Sequence, residues 1–107
     1  MTYSDLLAEV KKLKFLETRS DTQELLEFVI ATAYHHHLQT ILESFFGPAL
    51  KPAGESPHPQ AQKYTAAYGG IQKNQTLYYT HRDGCSFAAM IWPWGDKLSA
   101  TVKIFQL

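Results

Sequence analysis

The sequence predicts an α+β fold: two N-terminal helices, a short third helix, then a three-stranded antiparallel meander with the helices packed on one face. Three observations support this class. Apolar residues recur at helical spacing in the first half, strand-like segments fill the last third, and Asp83-Gly84 marks a tight hairpin between two of those segments. The 107 residues suffice for a single domain, with a helical part at 1–68 and a strand part at 70–107.

Two segments with start signals predict the N-terminal helices. Ser4 is placed to cap a helix over 5–17, whose apolar residues fall on one stripe. The run Ser20–Gln23 matches a capping box, in which the serine hydroxyl and the glutamine side chain bond to backbone amides. No Gly or Pro follows until Gly47-Pro48, so the sequence predicts a second helix over 21–46.

Proline and glycine also define the connection to the strands. Residues 47–58 are rich in proline and predict a loop, called the Pro-rich loop below. Pro57 follows Ser56 at a first helical position, and Gly69 is placed just beyond the end of a helix. Together they predict a short third helix over 57–68.

The predicted strands cover 74–82, 85–92 and 98–107, joined by two-residue turns at Asp83-Gly84 and Gly95-Asp96. Because side chains alternate across a sheet, these turns sort the strands into two faces. We assign the continuous apolar face to the helices, and call it the inner face: Tyr78, Phe87, Ala89, Ile91, Ala100, Val102 and Ile104.

The opposite, outer face is not an ordinary solvated face, because it combines aromatic, methionine and lysine side chains. Its candidate interaction surface consists of Leu77, Tyr79, Met90, Trp92, Lys103 and Phe105. Three kinds of cover stay open: the chain's own loop 47–58 or helix 57–68, a second copy or another protein, and a small ligand.

The sequence predicts neither a metal site at the histidine run nor a catalytic cysteine. Consecutive residues on a helix point about 100° apart, and His35-His36-His37 has no His, Cys, Asp or Glu three or four positions away, so no metal site is expected. Cys85 and His81 fall on opposite faces, which argues against a nucleophile and base. We therefore predict no catalytic residue, metal or cofactor.

Charge and cysteine content bound the partners and the compartment. Ten basic and ten acidic residues cancel, which disfavours a nucleic acid or a membrane surface as partner. The one cysteine and the absence of a signal-like or membrane-spanning segment make the cytoplasm the expected compartment.

Two functions follow from these patterns. The favoured one is a non-catalytic interaction module that forms a homodimer or binds another protein through the outer sheet face. The alternative is a small enzyme or ligand-binding domain, with a pocket between the sheet and the Pro-rich loop that uses His81, Tyr79 or Cys85.

Overall fold

The structure is a computed structural model that describes all 107 residues. In chain order its elements are α1 (Tyr3–Lys11), β1 (Phe15–Asp21), β2 (Leu25–Ala31), a 3₁₀ turn (Thr32–Tyr34), α2 (His35–Phe46), α3 (Pro59–Thr65), a second 3₁₀ turn (Ala66–Tyr68), β3 (Thr76–Arg82), β4 (Cys85–Pro93) and β5 (Ser99–Gln106). The five strands form one antiparallel sheet in the order β1-β2-β5-β4-β3.

The α+β class is confirmed, but the predicted three-stranded arrangement with two N-terminal helices is wrong. Residues 15–31, predicted to be largely helical, form β1 and β2, and β2 pairs with β5 to enlarge the sheet to five strands. The segment Leu25–Ala31 is short and apolar, and such runs fit a buried strand as well as a helix. Its β-branched and aromatic residues favour the strand once β5 is available for pairing.

The start signals act at other places than predicted. The Ser20–Gln23 run closes the β1–β2 hairpin, where the Thr22 amide donates to the Leu25 carbonyl at 2.9 Å. Helix α1 is capped by Thr2 in place of Ser4, and its hydroxyl accepts from the Asp5 amide at 3.1 Å. The third helix begins two residues late, at Pro59, with His58 Nδ1 accepting from the Ala61 amide at 3.1 Å.

The meander is present, and one of its two predicted turns is correct. Arg82 pairs with Cys85 around Asp83-Gly84, both of which have positive φ, 53° and 76°. The second turn is longer than predicted: the Trp94 amide donates to the Ser99 carbonyl at 2.9 Å, which leaves a four-residue loop over 95–98. The β4–β5 register therefore shifts by two residues, and a shift of two keeps every side chain on its predicted face.

The main core lies between the inner face and helices α1 and α2. All seven predicted inner-face residues belong to this cluster of 18 buried residues, together with Leu6 and Val10 from α1 and Leu38, Leu42 and Phe45 from α2. Strand β2 adds Leu26, Phe28 and Ile30. No helix in the structure combines the length and the apolar character needed to cross a membrane.

Candidate functional site

Half of the candidate interaction surface is covered by the chain itself. Leu77, Met90 and Phe105 are fully buried in a second cluster that includes Ala61 of α3 and Ile71. Tyr68 stacks on Phe105 at a ring-centroid distance of 3.8 Å. Helix α3 and the turn after it therefore occupy this part of the outer face, which was one of the three covers left open by the sequence.

Trp92 and Lys103 lie at the border of that cover and are partly buried. Lys103 Nζ sits 3.8 Å from the centroid of the Trp92 ring and donates to the Tyr68 carbonyl at 3.1 Å. Desolvation lowers the pKa of Lys103, an effect that Glu27 partly offsets. A Cβ at Gly69 would lie 3.0 Å from the Trp92 ring, so the missing side chain permits the close approach.

Tyr79, the last of the six residues, belongs to a polar group at the other end of the outer face. Its ring stacks on Tyr64 at 4.0 Å, and its hydroxyl lies 3.1 Å from Ser86 Oγ. Ser86 Oγ also lies 2.8 Å from His81 Nδ1. Hydrogen bonding, to Ser86 first and then to Tyr64, lowers the pKa of Tyr79.

The structure keeps Cys85 apart from this group. Cys85 is partly buried and packs against the inner-face core, whereas His81 bonds to Ser86 on the outer face. The two side chains lie on opposite faces of the sheet, as the Asp83-Gly84 register predicted. No group of three or more His, Cys, Asp or Glu residues is arranged to hold a metal ion.

A cavity of about 310 Å³ lies at the opposite side of the sheet, between the start of α2, the β4–β5 hairpin and the Pro-rich loop. Its apolar walls include Ile30, Leu38, Ile91 and Ala100, all of which are buried core residues. A second cavity of about 340 Å³ adjoins it and is more polar. The two share His35, Ala53 and Ile91.

Lys51 holds the Pro-rich loop over these cavities. Its backbone pairs with Leu77 in an isolated bridge, and its side chain is 1% exposed. Lys51 Nζ donates to the carbonyls of Gln72, at 2.8 Å, Lys73, at 2.6 Å, and Gln75. No carboxylate forms an ion pair with it, so these carbonyl oxygens are its direct hydrogen-bond partners. Desolvation lowers the pKa of Lys51, and the charge of Glu55 partly offsets this effect.

The opposite wall of the first cavity is the tip of the β4–β5 hairpin. Lys97 lines the cavity and has φ +61°, in the left-handed region that favours glycine. Thr32, which also lines the cavity, attaches this tip to the start of α2. Its hydroxyl donates to the Lys97 carbonyl at 3.1 Å, and its amide donates to the Leu98 carbonyl at 2.9 Å.

The cavity lies where the alternative hypothesis expected a pocket, but with other residues. Tyr79, His81 and Cys85 line neither chamber, whereas His35, Lys51 and Lys97 line or support them. Sequence reasoning missed this set because it placed His35 in the middle of a long helix and Lys97 beside a two-residue turn. The only available signal was the proline content of the loop.

Comparison of the chain with protein-family models, with curated proteins and with solved structures found no match.

Proposed function

We propose that this protein binds a small, mostly apolar molecule in the cavity between the inner face, the start of α2 and the Pro-rich loop. The observation that carries this proposal is the cavity of about 310 Å³ itself, at the lower end of the size range of ligand pockets. Its apolar walls and few polar groups match the composition of such pockets.

The contacts around the cavity support the same proposal. The loop is held by Lys51, and the hairpin tip is held by Thr32, so two walls of the cavity are fixed by hydrogen bonds. A pocket formed before binding avoids the cost of ordering its walls around the ligand.

Amide chemical shifts of the isotope-labelled, full-length protein test the proposal, with hexanol as the probe. We expect saturable shifts confined to residues near 30–38, 91–100 and Ala53. Ala53 is exposed and lines both cavities, so Ala53→Phe should obstruct the site without disturbing the core. Ala67→Phe, at an exposed position after α3, is the matched control. Absence of saturable shifts, or full binding by Ala53→Phe, would contradict the proposal.

We propose self-association through the accessible rest of the outer face as a second function. The observation in its favour is two tryptophans of β4 and its hairpin that each lie beside a cation. Trp94, which also lines the first cavity, is 38% exposed with Arg19 above its ring at 5.9 Å, and Lys103 lies above the ring of Trp92 at 3.8 Å. Tryptophan and arginine are enriched where binding energy concentrates.

Sedimentation of the wild type and of Trp94→Ala tests self-association. We expect a dimer that Trp94→Ala weakens by roughly 2 kcal/mol, and a monomeric wild type would refute it.

For the compartment we propose the cytoplasm, because Cys85 is the chain's one cysteine and can form no disulfide within it.

A further inference from the structure

The ionisable residues that line the first cavity are all basic. Of the residues that line it, only Lys97 and His35 titrate, and none is acidic. None of the four ion pairs in the structure involves Lys97. Its neighbour Asp96 does not line the cavity, and Asp96 Oδ1 accepts from the Leu98 amide at 2.8 Å. Lys97 is exposed, so the apolar cavity has at its solvent side a lysine without an acidic partner.

The backbone of Lys97 decides which substitution can test its role. Its φ of +61° is a conformation that glycine adopts readily and that other residues adopt at a cost. Asn and Asp tolerate this conformation because their short polar side chains can bond to the local backbone. The long side chain of lysine gains no such local bond. Asp83 in the β3–β4 turn has a similar φ, 53°, so this conformation belongs to the hairpin loops and a glycine fits it at position 97.

We propose that the ligand is a carboxylate, a proposal that rests on the proposed function. The small apolar body of the ligand lies against Ile30, Leu38 and Ile91. Its carboxylate is bound by Lys97, with His35 beside it. Lysine bonds to a carboxylate through a charge-assisted hydrogen bond, which is about twice as strong as a neutral one. The cavity of about 310 Å³ limits the body to a short chain or a single ring.

The adjoining chamber provides the competing chemistry. It is lined by Glu43 and Gln39, whose side chains bond to each other at 3.2 Å. A ligand with an amine in place of a carboxylate would extend toward Glu43. The two chemistries therefore predict opposite preferences between ligands that share one apolar body.

Three probes with the same chain test the proposal on the full-length, untagged protein near neutral pH: hexanoate, hexanol and hexylamine. Amide shifts in titrations give each affinity. We expect hexanoate to bind at least about tenfold more tightly than hexanol, as one charge-assisted hydrogen bond allows. Hexylamine should bind no better than hexanol.

Lys97→Gly is the decisive variant because glycine suits the backbone at position 97. We expect it to lower hexanoate affinity about tenfold, to the level of hexanol, while hexanol affinity stays unchanged and the melting temperature does not fall. Lys97→Arg should retain the preference for hexanoate. Lys73→Gln, at an exposed lysine that does not line the cavity, is the charge control and should change nothing.

The outcomes separate the two proposals. If none of the three probes binds, the cavity is not a ligand site and both proposals fail. If hexanol binds as tightly as hexanoate, or if Lys97→Gly retains the preference, the cavity stands and the carboxylate proposal is overturned. Tightest binding by hexylamine would overturn it in favour of recognition by Glu43.

Discussion

The two faces of the sheet are covered in different ways. On the inner face, α1 and α2 bury a cluster of 18 residues. On the outer face, the seven-residue α3 and the segment after it bury a cluster of six. The inner face is therefore stabilised mainly by apolar burial, which scales with the area removed from water.

The outer cover depends more on polar contacts to backbone carbonyls. Lys103 bonds to the Tyr68 carbonyl, and Gln62 Nε2 bonds to the Ile71 carbonyl at 3.1 Å. At the β3 edge, where the Pro-rich loop meets the segment after α3, Lys51 bonds to three carbonyls of 72–75. A small apolar cluster thus gains its fixed position from a few directional bonds. Substitutions on the inner face should therefore destabilise the whole domain, whereas substitutions in the outer cover should have smaller, local effects on stability.

Val102→Asp should have the largest effect. Val102 is fully buried at the centre of the inner-face core, and an aspartate there would be an unpaired buried charge. We expect a loss of at least about 4 kcal/mol, which is a large share of the roughly 5–15 kcal/mol that stabilises a small domain. Urea denaturation followed by circular dichroism measures it.

Leu98→Asp is the matched control for that substitution, because Leu98 is 71% exposed in the same hairpin. It should change the free energy of unfolding by less than about 0.5 kcal/mol. Equal stability of Val102→Asp and the wild type would show that the inner face is assigned to the wrong side.

The contrast between the faces also explains what the sequence could predict. The meander and its inner face were predictable because Asp83-Gly84 sets a register and alternation sorts the side chains, and a two-residue error at 95–98 leaves the faces unchanged. Strands β1 and β2 were not predictable, because the apolar residues of 25–31 fit the spacing of a helix as well as that of a strand. Only pairing with β5, distant in sequence, decides between them.

The cover of the outer face and the lining of the cavity depend on tertiary contacts that no local pattern shows. Nothing in the sequence around Lys51 distinguishes it from the exposed lysines, yet it is nearly inaccessible and bonded to three carbonyls. Likewise, His35 reaches the cavity because α2 begins there, directly after β2 and a 3₁₀ turn.

Lys51→Met should have the next largest effect, and a local one. Methionine retains the apolar stem but removes the ammonium that donates to the carbonyls of Gln72, Lys73 and Gln75. The Gln72 and Lys73 carbonyls each keep a backbone donor, the amides of Gln75 and Gly54. The variant loses hydrogen bonds to a charged donor, so we expect a loss of about 2–3 kcal/mol in total. Hydrogen exchange should accelerate at the Gly54 and Leu77 amides, which bond to Lys73 and Lys51.

Lys73→Met is the control, since Lys73 is exposed and only its backbone carbonyl joins this arrangement. If hydrogen exchange in Lys51→Met is uniformly faster over β2, β4 and β5, the loss is global, which would contradict the expected local effect. Unchanged stability would show that the three bonds contribute nothing net.

The smallest effect is a pH dependence that differs in sign between two neighbouring tyrosines of β3. Tyr78 lies on the inner face, where burial raises its pKa from 10.0 to about 12. Its native pKa exceeds the unfolded one, so its contribution is complete below pH 10.0 and is lost as the pH rises toward 12. With solvent screening taken into account, this shift corresponds to no more than about 2 kcal/mol, and Tyr78→Phe should remove that part of the alkaline loss.

Tyr79 lies on the outer face, and hydrogen bonding with Ser86 and Tyr64 lowers its pKa. A lowered native pKa means that the unfolded chain holds the proton longer, so this group adds stability as the pH rises toward 10.0. Ser86→Ala removes the largest cause of this shift and leaves the Tyr64 and Tyr79 hydroxyls in place, so it should steepen the alkaline loss slightly, opposite to Tyr78→Phe. Urea denaturation across that pH range, with tyrosinate absorbance to follow ionisation, distinguishes the two. If both variants change the pH slope in the same direction, the two tyrosines do not lie in the contrasting environments of the two faces.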